Sequence, residues 1–224
     1  MKPFRIACIA ALFASFAALS GAEGVWTTYT NTDEVRAIVF EGDHVWCATT
    51  GGVLRWNKHD GTYEKFTTGN GMGGNWVFSA TVDRSGVKWF GTWDGGVAWL
   101  DGKTWNYYNY QTSNGIKAAA VDSGNVKWFL TDQSLSSYNG GKWNHIGFTQ
   151  DTSTSYGSIA VDSHNVKWFT GSGVIKSYDG ATMKTYAISE GLAGSGAQAV
   201  ATDHDDVKWF GTKKGVPRFE GTSW

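Results

Sequence analysis

Residues 80–92 read A-T-V-D-R-S-G-V-K-W-F-G-T, and the phrase returns along the chain. Residues 119–131 read A-A-V-D-S-G-N-V-K-W-F-L-T, residues 159–170 I-A-V-D-S-H-N-V-K-W-F-T, and residues 200–212 V-A-T-D-H-D-D-V-K-W-F-G-T. A weaker copy, H-V-W-C-A-T, occupies 44–49. The anchoring residues Trp46, Trp89, Trp128, Trp168 and Trp209 recur about every 41 residues, a period typical of repeat architectures. Ten residues after each stands another aromatic: Trp56, Trp99, Tyr138, Tyr178 and Phe219. A fixed offset in every copy leaves no room for insertions between those positions.

Within one copy the pattern reads as four short strands. Phe78–Val82 is bounded by the turn Asp83-Arg84-Ser85-Gly86, and Val87–Thr92 by Trp93-Asp94-Gly95-Gly96. Val97–Leu100 and Thr104–Tyr108 then flank the tight turn Asp101-Gly102. Large apolar neighbours such as Trp89 and Phe90 point to opposite faces of one strand, so both faces of the sheet must be covered. Four-stranded units stacked face to face predict an all-β protein, a β-propeller of five four-stranded blades. Fourth strands are expected at Tyr63–Phe66, Trp105–Tyr108, Trp143–Ile146 and Met183–Tyr186, and a last third strand at Val216–Phe219. The fifth fourth strand begins only at Trp224. An orphan, Trp26-Thr27-Thr28-Tyr29, matches Trp105–Tyr108 in spacing, and the strand Val25–Thr30 around it would complete the last blade and close the ring. The alternative is a fragment of a larger propeller.

The N-terminus carries an address. Lys2 and Arg5 precede an uncharged apolar run from Ile6 to Leu19, followed by Ser20-Gly21-Ala22, the pattern of a signal peptide spanning residues 1–22. This fourteen-residue run is too short to span a bilayer, which takes roughly 20. One propeller domain, 23–224, is expected outside the cytoplasm, in the periplasm or beyond the cell. With Cys8 lost with the leader, Cys47 has no partner for an internal disulfide. The 224 residues are 41% apolar and 15% aromatic with a formal net charge of −1, which excludes a disordered chain and offers no basic footprint for nucleic acid. No later segment suits membrane insertion, and the chain is expected to be a monomer.

The run A-x-D-x-x-G-x-x-W-F-G-T-x-x-G-G-V, ending in D-G-x-x-W-x-x-Y, resembles the two-component-regulator propeller repeat. Residues 69–92 and 189–212 match it best, including the entries Asn70–Met72 and Glu190–Leu192. The resemblance implies a propeller used for sensing or binding, without catalytic residues. The chain shows no kinase, transmembrane helix or DNA-binding module of the sensor proteins that carry this repeat. The sialidase Asp-box does not fit: Asp83, Asp122, Asp162 and Asp203 each precede their Trp by six residues rather than five. Arg36, Arg55, Arg84 and Arg218 are too scattered to form a carboxylate-binding cluster.

Candidate chemistry is sparse. The recurring Asp of each repeat reads as a turn residue capping local amides. The histidines occupy unrelated positions, so no metal and no cofactor is expected. No Ser or Cys sits in a nucleophile context, and catalytic residues are expected to be absent. Lys88, Lys127, Lys167 and Lys208 share one repeat position, suggesting either a cationic ring on one rim or stems packed beside Trp with solvated ends. These residues favour a non-catalytic exported binding or sensing module over an exported carbohydrate-active enzyme or a cell-surface structural protein. The expected ligand is a glycan or a peptide or protein segment. It would sit on the rim made by inter-blade and second-to-third-strand loops, where aromatic planes stand beside amides and charges. The candidate contacts are Trp76, Asn75, Tyr110, Tyr156, Trp93, Asp94, Asp132, Gln133 and Lys213. Trp93 stands out because the other copies carry Thr50, Asp132, Ser172 and Lys213 there, so blade packing does not demand it.

Overall fold

The computed structural model describes residues 33–109, 115–148, 156–171, 173–187 and 196–221. Alternating side chains and glycine-containing turns fold each repeat into an antiparallel meander. The first sheet comprises β1 (Val35–Glu41), β2 (His44–Thr49), β3 (Gly52–Asn57) and β4 (Tyr63–Phe66). The second comprises β5 (Val77–Val82), β6 (Lys88–Thr92), β7 (Val97–Asp101) and β8 (Thr104–Tyr108). The third holds β9 (Ala118–Val121), β10 (Lys127–Leu130), β11 (Ser134–Asn139) and β12 (Lys142–Gly147). The fourth holds β13 (Tyr156–Val161), β14 (Lys167–Gly171), β15 (Val174–Tyr178) and β16 (Met183–Ala187). The fifth has three described strands, β17 (Ala197–Thr202), β18 (Lys208–Thr212) and β19 (Arg218–Phe219). Helix among the described residues amounts to a single 3-10 turn at Thr68–Asn70. None is long and apolar enough to cross a membrane.

The sheets stack like propeller blades, with inner strands β1, β5, β9, β13 and β17 packed in succession. The first four sheets bury their central tryptophans, and three of these rings meet the phenylalanine of the next sheet. Trp46 meets Phe90 at 6.3 Å between ring centroids, Trp89 meets Phe129 at 6.0 Å, and Trp168 meets Phe210 at 6.3 Å. All four phenylalanines of that position, Phe90, Phe129, Phe169 and Phe210, are fully buried. Each contributes roughly 1.5–3 kcal/mol through removal from water. The expected burial of both faces of the second strand holds in the first four sheets; in the fifth, Trp209 is exposed.

The two end sheets differ from the interior ones. No packing comparable to that of the other inner-strand pairs joins β17 to β1. Trp209 is 37% exposed where Trp46 is 1%, and Phe40 and Ile38 of β1 are exposed. The orphan strand Val25–Thr30 and Trp224, on which ring closure depends, lie outside the described residues. The third strand expected at Val216–Phe219 is shorter, at Arg218–Phe219. Pro217 lacks an N–H and serves only as an acceptor for Phe210 N, while Gly215 closes the turn by pairing with Thr212.

Candidate functional site

Two groups of side chains stand out, one between sheets and one on the rim. The inter-sheet group begins with the recurring aspartate. Asp83 Oδ1 accepts the N–H of Ser85 and Val87, which is the turn-capping role expected from sequence. Its second oxygen does something the sequence reading missed. Asp83 Oδ2 accepts the indole N–H of Trp89 at 3.1 Å and pairs with Lys127 Nζ of the following sheet at 2.9 Å. Lys127 also lies over the Trp89 ring, 5.2 Å from its centroid. Asp122, Trp128 and Lys167 repeat the arrangement, as do Asp162, Trp168 and Lys208.

In the first sheet the turn is tighter, and Glu41 takes the aspartate's place. Its longer side chain reaches Trp46 Nε1 at 2.9 Å from five residues away, and pairs with Lys88. Lys88, Lys127, Lys167 and Lys208 are therefore buried inter-sheet ties, neither a rim ring nor solvated ends. A buried ammonium demands a partner, and the preceding sheet supplies both a carboxylate and a π face.

A second tie runs the same way. Asn125, Asn165 and Asp206 adopt left-handed backbone, with φ of 61°, 61° and 64°. From there their side chains accept backbone N–H groups of Arg84, Ser123 and Ser163 on the preceding sheet, at 2.8–2.9 Å. Asp162, His164 and Asp206 gather their ligand atoms within 4.8 Å of one another. The ammonium of Lys208 sits on both carboxylates, at 3.1 and 3.0 Å, so the cluster is an ion pair.

These ties set a pH window. Burial alone would raise Asp83, Glu41 and Asp206, but the lysine, indole and backbone donors outweigh it and hold all three low, Asp206 at about 2. Lys208 lies above the usual lysine range: burial opposes this, and Asp206 and Asp162 prevail. Depressed carboxylates add stability that is complete above their unfolded value and lost as pH falls through the folded one. The raised lysine adds stability that is complete below its unfolded value and lost as pH rises through the folded one. The melting temperature is therefore expected to hold a plateau in mid-range and to fall between about pH 4 and 2. Asp206→Asn, which keeps the Ser163 contact, should make that acid limb shallower; an identical limb in thermal scans would contradict the assignment.

The rim group is built from a repeated irregularity. Register shifts between Val35/Ala37 and Val77/Ser79 mark bulges that turn Arg36 and Phe78 out of the ladder. Lys117 stands at the same repeat position, next to β9. Trp76 and Trp93 join Phe78 there: Trp93 packs at 5.6 Å from Phe78 and 6.2 Å edge-on to Trp76, with Trp76 at 6.0 Å from Phe78. Trp93 N donates to Trp76 O, coupling the two loops. Lys117 Nζ sits 4.2 Å above the Trp93 ring and 3.6 Å from Asp132, while Arg36 covers Phe78 at 5.0 Å. Trp76 remains 45% exposed and Trp93 37%, an aromatic pair open to solvent. Gly115 leaves room for Trp93, since a Cβ there would lie 2.7 Å from its Cα.

The structure thus brings together Trp76, Trp93 and Asp132 of the residues singled out from sequence. Asn75 is engaged locally, its carbonyl accepting Thr68 N at 2.7 Å. Asp94 packs against the backbone at Gly74, where a Cβ would meet its Oδ1 at 2.2 Å. Gln133 closes the β10–β11 loop through Thr131 and Phe148 and is exposed. Lys213 is exposed on the β18–β19 loop. Tyr110 and the Tyr156 side chain lie outside the described residues. Arg36, Phe78 and Lys117 were missed, although Phe78 and Lys117 share one signal, a place eleven residues before the sheet's tryptophan.

No family model and no curated protein matches the chain. Solved structures do. The extracellular domain of hybrid two component system BT3049 from B. thetaiotaomicron superposes with a TM-score of 0.71 at 20% identity, over 84% of this chain and 28% of that one. Virginiamycin B lyase from Staphylococcus aureus gives 0.67 at 17% identity, over 83% of this chain and 69% of the lyase. The WD40 β-propeller domain of Doa1 gives 0.62 at 17%, over 81% and 62%. The chain spans little more than a quarter of the sensor domain's length. At these identities the shared property is the fold, which the sensor domains, a lyase and a WD40 propeller all use: this chain is similar to the propeller-type extracellular domains of two-component systems.

Proposed function

We infer that the chain is a non-catalytic, exported sensing module that holds an oligosaccharide at the rim cluster. The exposed pair Trp76 and Trp93, set nearly perpendicular around Phe78, carries this reading. Sugar faces stack on indole planes and need a few directed polar groups at the edge, which Lys117, Asp132 and Arg36 supply. Similarity to extracellular sensor domains supports both the sensing role and the location. The lyase with the same fold keeps catalysis as the competing class. Here Asp132 faces Lys117 rather than a second carboxylate, which favours binding.

Trp93→Ala and Trp76→Ala should each weaken oligosaccharide binding at least tenfold in calorimetric titration, with the melting temperature within about 3 °C of the parent. Chromogenic and natural glycans should pass through unaltered. Unchanged affinity in both variants, or turnover of any glycan, would defeat the reading. Two architectures fit such a module: a ring completed by Val25–Thr30, and an arc within a larger propeller. The exposed Trp209 and Phe40 favour the arc.

A further inference from the structure

Four times in the described chain, an acid and a tryptophan on one sheet receive a lysine from the next. The sets are Glu41, Trp46 and Lys88; Asp83, Trp89 and Lys127; Asp122, Trp128 and Lys167; and Asp162, Trp168 and Lys208. The fifth sheet has built the receiving half. Asp203 Oδ2 accepts Trp209 Nε1 at 2.7 Å, and Asp203 Oδ1 accepts Val207 N, as in the other copies. Among the described residues no lysine reaches this pair, and Trp209 is exposed. The N–H of His204 likewise meets no asparagine from a following turn, unlike Arg84, Ser123 and Ser163.

The first sheet cannot supply what is missing. Val45 stands where the other sheets carry lysine, since it pairs with Phe40 as Lys88 pairs with Val82. Its turn is a tight Glu41–His44 hairpin without a left-handed asparagine. Closing the ring on that sheet would bury the Asp203 carboxylate against Val45 with no cation, a cost of several kcal/mol.

We propose that the open face of the fifth sheet is a docking surface for one further sheet of this same repeat, whose lysine enters between Asp203 and the Trp209 ring. The proposal builds on the arc reading and is independent of the rim site. A direct test appends a second copy of residues 184–221 after Trp224, which continues the repeat in register. It is compared with the same extension carrying Lys208→Met in the appended copy only. The lysine-bearing extension should melt about 4 °C or more above the methionine one. That difference should vanish when Asp203→Asn is introduced. Acrylamide quenching assigned to Trp209, by comparison with Trp209→Phe, should fall at least twofold in the lysine-bearing chain. Equal melting of the two extensions, or Trp209 as accessible as in the parent, overturns the proposal. A second variant guards the rival closure: Val45→Lys in the unextended chain, which removes a valine packed on the Cys47–Leu54–Trp56 cluster, should not raise its melting temperature. A rise that Asp203→Asn abolishes would show the first sheet in that place instead.

Discussion

Lys127→Met should lower the unfolding free energy by about 3 kcal/mol, a fall in melting temperature of about 9 °C. A lysine on a protein surface would change stability by under about 0.5 kcal/mol on the same substitution, and Lys103→Met, at an exposed turn, is the control. The difference comes from what is left behind. Removing the ammonium strands the Asp83 carboxylate, whose side chain is only 2% exposed, in a low-dielectric seam between two sheets. Asp83→Asn with Lys127→Met should therefore be more stable than Lys127→Met alone, because the neutral amide leaves no charge in the seam and its one carbonyl oxygen still accepts the Ser85 and Val87 N–H groups, at the cost of the indole bond. Chemical denaturation of the four proteins closes a double-mutant cycle. Additive losses would show that the two residues do not meet.

Phe129→Ala should cost about 4 kcal/mol, the upper range for truncating a buried aromatic. Phe129 is fully buried between Trp89 at 6.0 Å and Trp143 at 5.6 Å, so the deletion leaves a void shared by two sheets. Phe40→Ala provides the contrast within one residue type. Phe40 is 68% exposed, and its loss should stay within about 0.5 kcal/mol. Equal losses at both positions would mean that the outer face of the first sheet is covered in solution. Because the described sheets pack in succession, the Phe129 cavity should also open the second and third sheets to hydrogen exchange before the fifth.

The strands were legible because their signals are local. Tyr63–Phe66 and Thr104–Tyr108 lie where the turn residues and aromatic spacing place them. The shortened β19 was not, since Pro217 weakens a strand only through the donor it lacks. The lysine position was visible as a repeat yet misread, because its meaning depends on a carboxylate about 45 residues upstream on another sheet. No spacing rule within one repeat reveals that pairing. The rim followed the same division. Trp93 drew notice as a residue that packing does not require, and it does sit beside Trp76. Arg36 and Phe78 owe their place to bulges, an extra residue in a ladder that hydrophobic alternation cannot display.

The split of each ion pair across successive repeats bears on how such a gene changes length. Every internal repeat gives a lysine backward and offers an acid forward, so the junction chemistry is the same wherever two repeats meet. Unequal crossing-over between homologous repeats would delete or duplicate a whole unit and rejoin an intact acid–tryptophan–lysine junction. Val45 breaks that equivalence. A recombination event placing the Val45 repeat after another repeat would leave the preceding acid without its cation, so this one repeat is not interchangeable with the others.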